Sequence, residues 1–576
     1  MVKIIQGIAI LIAATLLAGF PVGAAGTAAE AAVDYGWLSI LPPMLAIAFA
    51  LIFRQVIPSL VLGIWVGAWT LYGFSPSGAL QATLDIGQVY ALDALADEGH
   101  AAIILFSIFI GGAVAVVTRN GGMAGIVEAI IGWISNRQRA QLGTAGMGLA
   151  IFFDDYANTM VVGNTMRPVT DRMKVSREKL AYLVDSTAAP LACVAFITTW
   201  VGFMVGLIGD NISELDPTAQ PYLMYLSSVQ YSFYPILALF FVGLVAWSGK
   251  DFGPMLTAEA KMLETSGGDG ETSEVKLDDE FVPKTGVQPQ ARNAIIPIGV
   301  LILGVFASLY YTGMQSITEA GEIPLDAIAL RDIIGAADSY KALMWASFLG
   351  SLVAIIISVG GKTLSLEEAV EAWMGGAKAM VAACAILVLA WGLSAVTDSL
   401  GTSTYLVAFL GDDLPVALLP ALVFILAAIT AFSTGTSWGA MGILMPLVLP
   451  LAYTFISQDG AVDQSQIHIV YSSIACVLAG AVWGDHCSPI SDTTVLSSLA
   501  SGCNHIEHVR TQMPYALLVG AVALGTGTIP AAFGVPWWLC LIVGAGILYM
   551  VMRLAGVSAE DKVTERMGST EAVSAE

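Results

Sequence analysis

Long apolar runs dominate this sequence, and most of them approach the ~20 residues that a helix needs to cross a bilayer. Only 12% of the 576 residues are charged, whereas soluble domains average about 25%. A transmembrane β-barrel would show short alternating segments instead of continuous runs. The pattern therefore predicts an all-α polytopic membrane protein. After the N-terminal segment, the runs lie near residues 37–53, 56–72, 101–118, 141–165, 180–208, 230–247, 293–313, 340–358, 379–396, 414–446, 471–500, 513–533 and 536–553.

The ends and the middle of the chain set the predicted domain boundaries. Residues 1–28 carry Lys3, an apolar stretch and then small residues, which fits either a signal peptide or a first transmembrane segment. Residues 248–292 are polar and rich in glycine and acidic residues, so they read as a cytoplasmic linker. The remaining predicted units are membrane repeat one (37–247), membrane repeat two (293–533), a last transmembrane helix (536–553) and a cytoplasmic tail (554–576).

Lysine and arginine favour the cytoplasmic side of a membrane protein, and their positions here predict two re-entrant hairpins. The loops 135–140 and 166–179 both carry basic residues, although the run 141–165 lies between them. A hairpin that enters from the cytoplasm and turns at 154–158 resolves this conflict. A second hairpin, turning at 433–437, is expected to enter from outside because its flanking loops carry aspartates and no basic residue. With both hairpins, all but two of the 23 Lys and Arg residues are cytoplasmic.

The two halves of the chain also match each other weakly. Met166-Arg167-Pro168 corresponds to Leu444-Met445-Pro446, and the Asp185–Pro190 motif corresponds to Asp485–Pro489. Each predicted repeat holds five crossings and one hairpin, and an odd number of crossings turns the second copy upside down. Inverted-topology repeats with discontinuous helices at the bilayer midplane are typical of secondary transporters.

Polar residues cluster at four predicted breaks within the apolar runs: the two hairpin tips and two discontinuous helices, at Asp185–Pro190 and Asp485–Thr493. A charged side chain at the bilayer centre costs at least ~2.5–3.5 kcal/mol, so several carboxylates here indicate a function. The candidate ion- or substrate-binding residues are Asp154, Asp155, Asn158, Thr159, Asp185, Ser186, Thr187, Thr434, Thr436, Ser437, Asp485, His486, Ser488, Asp492 and Thr493.

The chemistry of this residue set favours cation exchange. No lysine or arginine lies within the breaks, so the carboxylates must be protonated, share protons or hold a cation. Carboxylate, hydroxyl and carbonyl oxygens are hard ligands that suit Na⁺. Burial and a neighbouring carboxylate both raise a carboxyl pKa, which lets H⁺ and Na⁺ compete near neutral pH. We expect Na⁺ at Asp154, Asp155, Asp485 and Asp492 with neighbouring hydroxyls, and no cofactor besides the transported Na⁺ and H⁺.

Each candidate also has a structural alternative. The aspartates would serve as helix caps, the hydroxyls would bond to their own backbone, and His486 would be a buried hydrogen-bonded histidine. His505 and His508, beside Arg510, are expected in a cytoplasmic loop. The segment Gly435–Gly439 fits the G-x-S-x-G pattern of serine hydrolases, but a nucleophile elbow needs a strand–turn–helix context. A membrane hairpin does not supply that context, so no enzyme is predicted.

Three motifs resemble the NhaC-type Na⁺/H⁺ antiporter family. They are Phe153–Asn158, Gly435–Gly439 followed by Met441–Pro446, and Gly484–Thr493, within a similarity that spans roughly 40–530. The resemblance implies an inner-membrane exchanger driven by an ion gradient. Relatives with similar sequences exchange malate for lactate or carry other organic solutes. The N-terminal segment and the long acidic linker depart from what the resemblance implies.

Two functions are therefore expected. The first is a secondary active transporter that exchanges Na⁺ or Li⁺ for H⁺ by alternating access. The alternative is a Na⁺- or H⁺-coupled carrier of organic acids or amino acids, in which half-helix N-termini hold a substrate carboxylate. Either protein would work in the bacterial inner membrane with the lipid bilayer and a small solute as partners, and either leaves a homodimer open. The net charge of −22 argues against a nucleic-acid partner.

Overall fold

Helices form almost all of the chain. The computed structural model describes residues 35–53, 55–152, 154–213, 215–264, 283–320, 333, 336–402, 404–405, 415–458, 461–489 and 491–565. The predicted N-terminal segment 1–28, part of the linker and the last residues of the tail lie outside these residues. Two short antiparallel ribbons are present, with Lys250 opposite Ser558 and Ser457 opposite Val462.

The helices are numbered here in chain order. The first half contains α1 (Leu41–Phe53), α2 (Val56–Leu71), α3 (Pro76–Asp85), α4 (Leu92–Ala96), α5 (Glu98–Arg119), α6 (Gly122–Ile131), α7 (Arg137–Ala150), α8 (Asp155–Arg172), α9 (Arg177–Val194), α10 (Thr199–Ile212), α11 (Pro221–Val229), α12 (Phe233–Ser248) and α13 (Gly253–Glu264). The second half contains α14 (Arg292–Ala320), α15 (Ser339–Gly360), α16 (Leu366–Ala379), α17 (Val381–Ser399), α18 (Leu419–Thr434), α19 (Ser437–Ile456), α20 (Ile467–Cys487), α21 (Asp492–Ser501), α22 (His505–Val522), α23 (Ile529–Ala532) and α24 (Trp537–Ala555). The strands are β1 (Lys250–Asp251), β2 (Ser457–Gln458), β3 (Ala461–Val462) and β4 (Val557–Ser558).

Many of these helices are suited to a bilayer. Among the described residues, nine segments are long and apolar enough to cross a membrane, and eleven if two bent pairs each count as one span. The bent pairs are α9 with α10, at 41°, and α11 with α12, at 47°. The prediction of an all-helical, multi-pass membrane protein is therefore confirmed.

The helix ends follow local sequence signals. Asn136, Ser176 and Ser365 cap α7, α9 and α16 with side-chain oxygens that accept hydrogen bonds from backbone N–H groups. Gly435 (φ 73°) and Gly502 (φ 63°) end α18 and α21 in the left-handed region, which glycine reaches without a Cβ penalty. These residues stop the apolar helices where the chain must turn.

The helices pack as two groups. In one group α5 packs against α15 and α16, and α15 packs against α14. The other group joins α8, α9 and α12 of the first half to α18–α22 of the second. Within the second group, α18 and α20 approach backbone to backbone, because a Cβ on Gly484 would lie 2.1 Å from the carbonyl oxygen of Ala428. Small residues allow this close packing in membranes.

Helix boundaries interrupt the chain at three of the four predicted breaks. The first hairpin region breaks between Ala150 and Asp155, so Asp155 and Asn158 already lie in the first turn of α8. In the second hairpin region, α18 ends at Thr434 and α19 begins at Ser437. The third break separates α20 from α21 across 488–491.

The predicted break at Asp185–Pro190 is wrong. Helix α9 is continuous through this motif, and the chain instead breaks at 195–198 before α10. A proline removes only one backbone donor, and membrane helices tolerate that loss. The Thr187 hydroxyl donates to the carbonyl oxygen of Leu183 at 2.8 Å, a bond made within an intact helix. The polar motif therefore marks a side-chain site inside a helix and not a helix end.

Candidate functional site

Asp185 lies at the centre of a buried polar cluster that joins the two halves of the chain. The side chain is fully buried. Its Oδ2 accepts hydrogen bonds from Thr494 Oγ1 (3.1 Å) and Gln512 Nε2 (2.5 Å). Its Oδ1 accepts from Ser497 Oγ at 3.2 Å. One carboxylate of α9 is thus held by side chains of α21 and α22.

Asp485 occupies the last turn of α20, at the edge of the same cluster. Its Oδ2 accepts a hydrogen bond from Thr493 Oγ1 at 2.7 Å. The next residue, Thr494, binds Asp185 and lies 3.5 Å from the backbone oxygen of Asp485. Two adjacent threonines in the first turn of α21 therefore connect the two buried aspartates. Ser491 caps this helix by accepting from the backbone N–H of Thr494.

His486 is buried between the two aspartate-bearing helices. Its Nδ1 lies 2.9 Å from the Tyr234 hydroxyl, and its Nε2 lies 3.3 Å from the backbone oxygen of Asp185. The amide of Gln512 donates to the backbone oxygen of His486 at 3.0 Å. Both ring nitrogens have partners, which is the arrangement of a hydrogen-bonded core histidine.

The first hairpin region reaches the cluster through Asn158. Its Nδ2 donates to the backbone oxygens of Gly148 (2.7 Å), Ile151 (2.9 Å) and Thr187 (3.2 Å). These bonds connect the end of α7 and the break after it to α9, two residues beyond Asp185.

Several oxygens of the first hairpin region point into the buried interior. Asp154, Asp155, Asn158 and Thr159 are all buried. Asn158 Oδ1 and Thr159 Oγ1 have no hydrogen-bond partner among the described residues. Buried polar oxygens normally find a partner, so these two atoms are candidates for contact with an ion.

The second hairpin region packs one turn before Asp485. Ser437 Oγ approaches the backbone oxygen of Ala481 at 3.4 Å, and Ser488 Oγ donates to that of Phe432 at 2.7 Å. Thr434 donates back to its own helix, and Thr436 is half-buried. The hydroxyls of Ser437 and Ser488 thus connect the second hairpin region to α20 through backbone oxygens.

Among the side chains that the structure describes, the predicted Na⁺ ligands do not form one group. Within the described part of the chain, no three His, Cys, Asp or Glu side chains lie close enough to hold a metal ion together. Asp185 and Asp485 meet through α21, while Asp154 and Asp155 lie at the first hairpin region. Ser186 and Thr187 are buried beside Asp185, and the side chain of Asp492 lies outside the described residues.

Sequence reasoning missed the contribution of α22. The prediction that His508 is a loop residue is wrong, because His508 is fully buried and its Nε2 lies 3.9 Å from Asp185 Oδ2. Gln512, which binds Asp185, was also missed. The sequence does contain a signal for a buried polar face on this helix. Four residues at i, i+3, i+4 and i+7 share one face and are buried, namely His508, Thr511, Gln512 and Tyr515.

Comparison with known proteins identifies related sequences. The model of the family described as the Na⁺/H⁺ antiporter family matches residues 191–529. An uncharacterised protein of Haemophilus influenzae is 32% identical over 501 residues, which cover 86% of this chain and 91% of that protein. An uncharacterised Na⁺/H⁺ antiporter of the same organism is 33% identical over 101 residues, 17% of this chain and 19% of its own length.

Two solved transporter structures share the fold. The YdaH transporter of Alcanivorax borkumensis is 14% identical with a TM-score of 0.54, covering 86% of this chain and 99% of its own. Neisseria gonorrhoeae MtrF, described as illuminating a class of antimetabolite efflux pumps, is 13% identical with a TM-score of 0.55, covering 87% and 97%. At these identities the comparison establishes the architecture and leaves the substrate to other arguments.

Proposed function

Because this chain belongs to the Na⁺/H⁺ antiporter family, whose members are membrane transporters and not enzymes, we propose that it exchanges Na⁺ or Li⁺ for H⁺ across the bacterial inner membrane. The observation that carries the proposal is the fully buried carboxylate of Asp185. Among the described residues, its ionic contact is a histidine, His508, and not a lysine or arginine. Such a carboxylate needs a proton or a nearby cation to offset its desolvation.

The two transported ions would compete through their charges. A proton held in the cluster balances the buried charge of Asp185. Na⁺ bound at Asp154 and Asp155, or at Asp485 and Asp492, would place a positive charge nearby, and a nearby cation favours the ionised carboxylate. The links Asn158–Thr187 and Thr493–Thr494 provide the physical connection between the Na⁺ oxygens and Asp185. Na⁺ binding would therefore release the proton, and protonation would release Na⁺.

We also propose that alternating access operates through two inverted repeats. One pair of breaks at corresponding places in the two halves supports this, namely the break between α7 and α8 and the break between α18 and α19. In this scheme the first hairpin enters from the cytoplasm, the second from outside, and the C-terminus is cytoplasmic. Cysteine labelling of 166–179 and 455–465 should find them on opposite sides of the membrane, and finding both on one side would remove the inverted repeat.

Everted membrane vesicles that contain the protein test the exchange. With a respiration-generated pH gradient reported by a fluorescent dye, Na⁺ or Li⁺ addition should dequench the dye. Asp185→Asn should give no response at equal expression, because an asparagine lacks the buried charge through which the proton and Na⁺ compete. An absent wild-type response over a broad pH range would contradict the proposal.

A second candidate is a carrier of organic acids, and one observation favours it. Beside the second hairpin region, Trp438 packs against Trp200 (ring centroids 5.5 Å) and Phe203 (4.7 Å). The buried Trp200 Nε1 has no hydrogen-bond partner among the described residues, and an indole N–H is suited to donate to a solute carboxylate. MtrF, which shares the fold, is described with antimetabolite efflux pumps. Solute-dependent Na⁺ uptake without a Na⁺-induced pH response would select this function.

A further inference from the structure

The hydrogen bonds around Gln512 fix the protonation of one nitrogen of His508. Gln512 Nε2 donates to Asp185 Oδ2 and to the backbone oxygen of His486, which uses both amide hydrogens. Its Oε1 therefore faces His508 Nε2, 3.0 Å away, and can only accept. It follows that His508 Nε2 carries a hydrogen in each charge state of the ring.

The other nitrogen of His508 faces a hydroxyl that is shared by two histidines. Ser498 Oγ lies 2.8 Å from His508 Nδ1 and 3.1 Å from His505 Nδ1. The same hydroxyl lies 2.7 Å from the backbone oxygen of Thr494, its partner within α21. His505 Nε2 lies 2.7 Å from the backbone oxygen of Pro489, so that nitrogen must donate and leaves Nδ1 facing the serine.

This geometry accommodates two states that differ by the position of one proton, and in each state the single hydrogen of the Ser498 hydroxyl turns from the backbone oxygen of Thr494 to the neutral ring. In the first state His508 is an imidazolium whose Nδ1–H donates to Ser498, and Ser498 donates to neutral His505. In the second state Ser498 donates to neutral His508, and His505 is the imidazolium that donates to Ser498. The transfer breaks the Nδ1–H bond of His508 and the O–H bond of Ser498, and it forms an O–H bond on Ser498 and an Nδ1–H bond on His505. Hydrogen atoms and charge balance without another reactant.

The relay connects the buried cluster to the surface. His508 is fully buried, with its Nε2 3.9 Å from Asp185 Oδ2, whereas His505 is partly exposed in the first turn of α22. A proton on His508 would balance the buried charge of Asp185, and its loss through Ser498 would leave that charge for a cation. Ionisable groups around this route are Asp185, Asp485 and His486 on the inner side and Arg177, Glu178 and Glu507 near Cys503 at the outer end.

We propose that His508 is a proton-carrying residue of the transport cycle and that Ser498 and His505 connect it to the cytoplasmic side. This inference rests on the proposed cation–proton exchange and assigns its proton a route. In this scheme the negative charge of Asp185 stabilises the protonated ring of His508, and Gln512 positions the ring. The three side chains lie on α21 and α22, and none of them is among the residues proposed to hold Na⁺.

The test compares proton-coupled transport with a reaction that needs no proton. The full-length protein is reconstituted in liposomes, and ²²Na⁺ movement is measured as uptake driven by a pH gradient and as Na⁺/Na⁺ counterflow without one. His508→Asn should reduce gradient-driven uptake by about a hundredfold, the scale of a positioned proton-transfer group, and should reduce counterflow far less. Ser498→Ala should show the same selective loss with smaller amplitude. His468→Asn is the matched control, because the ring nitrogens of His468 face the backbone oxygens of Ser465 and Ala532, away from the buried cluster.

Each outcome decides a different question. If the wild type shows no gradient-driven Na⁺ or Li⁺ movement, the proposed exchange is contradicted, and the proton route that rests on it is contradicted as well. If the wild type exchanges and the gradient-driven uptake of His508→Asn and Ser498→Ala matches it, the relay alone is overturned. If both variants lose counterflow as completely as exchange, the cluster is structural and the relay is likewise overturned. A selective loss in Ser498→Ala, which leaves both histidines in place, supports the relay even where His508→Asn is poorly folded.

Discussion

Helices α9 and α20 carry corresponding aspartates in different settings. Asp185 lies within a continuous helix that runs on to Val194, while Asp485 lies two residues before α20 ends at Cys487. Asp185 receives its hydrogen bonds from the opposite half of the chain, whereas Asp485 receives one from Thr493 in its own half. Two similar motifs therefore place their aspartates in different surroundings. Asp185 is bonded by residues of the other half of the chain, and Asp485 lies beside the helix break that precedes α21.

Replacing the two aspartates should give the largest effect and separate these roles. Asp185→Asn should abolish exchange, because the fully buried group can no longer carry a proton or a charge. Asp485→Asn should retain more activity, since the amide still accepts from Thr493. Initial rates of Na⁺-dependent dequenching measure both, with Asp398→Asn, an exposed position at the end of α17, as the control. Equal loss in the two variants would contradict the proposed division.

Removing the two threonine hydroxyls tests the same comparison through the side chains that donate to the aspartates. Thr494→Val deletes a hydrogen bond to Asp185, and Thr493→Val deletes one to Asp485. A hydrogen bond to a charged group contributes about 1.5–3 kcal/mol, which corresponds to a loss of roughly tenfold or more in apparent ion affinity. We expect Thr494→Val to change the pH profile and Thr493→Val to change the Na⁺ concentration for half-maximal rate. Measuring both parameters for each variant checks this, and identical changes would remove the distinction.

Packing glycines allow a comparison of stability between the halves. A Cβ at Gly484 would lie 2.1 Å from a backbone oxygen of α18, while one at Gly148 would lie 2.0 Å from the Thr187 side chain. A side chain yields more easily than a backbone, so Gly484→Ala should destabilise more, by about 1–3 kcal/mol. Gly146→Ala, whose Cβ meets nothing within 4 Å, is the control. Thermal unfolding of the detergent-purified variants measures the order, and greater damage from Gly148→Ala would contradict it.

A surface carboxylate should show the smallest effect. The Thr218 hydroxyl, 2.6 Å away, holds the pKa of Asp216 below its usual range, and Tyr453 adds a second hydrogen bond. A depressed pKa stabilises the fold above the unfolded pKa and loses that effect as pH falls through the folded value. Asp216→Asn should therefore lower stability at pH 7 by less than about 1 kcal/mol after solvent screening. The difference in melting temperature from wild type should shrink towards pH 3, and a constant difference would contradict the assignment.

Much of the architecture is readable from the sequence because membrane helices must satisfy their own backbone. The lengths of the apolar runs indicate the spans. The interruptions at Gly435 and Ser488–Ser491 indicate helix ends, because continuing an apolar helix through these residues costs free energy. The Asp185–Pro190 motif is also polar and contains a proline, but the helix continues through it. Its polar groups bond within α9 or across to α21, and only the fold reveals which.

The candidate site was partly predictable for the same reason. Asp154, Asp155, Asp185 and Asp485 stand out because carboxylates are costly in an apolar run. His508 lies a few residues from Arg510, an exposed arginine, so local charge suggested a loop. Its burial depends on α22 packing against α9, α20 and α21, a long-range arrangement that neighbouring residues do not encode.

Proton release on cation binding tests the central claim most directly. Purified protein in weakly buffered detergent solution receives NaCl or LiCl, with choline chloride as the ionic-strength control, and a pH indicator follows the released protons. The account predicts that wild-type protein releases protons on Na⁺ or Li⁺ addition and that Asp185→Asn releases none. Release that is absent from the wild type, or equal in Asp185→Asn, would contradict the claim that Na⁺ and a proton compete through this buried carboxylate.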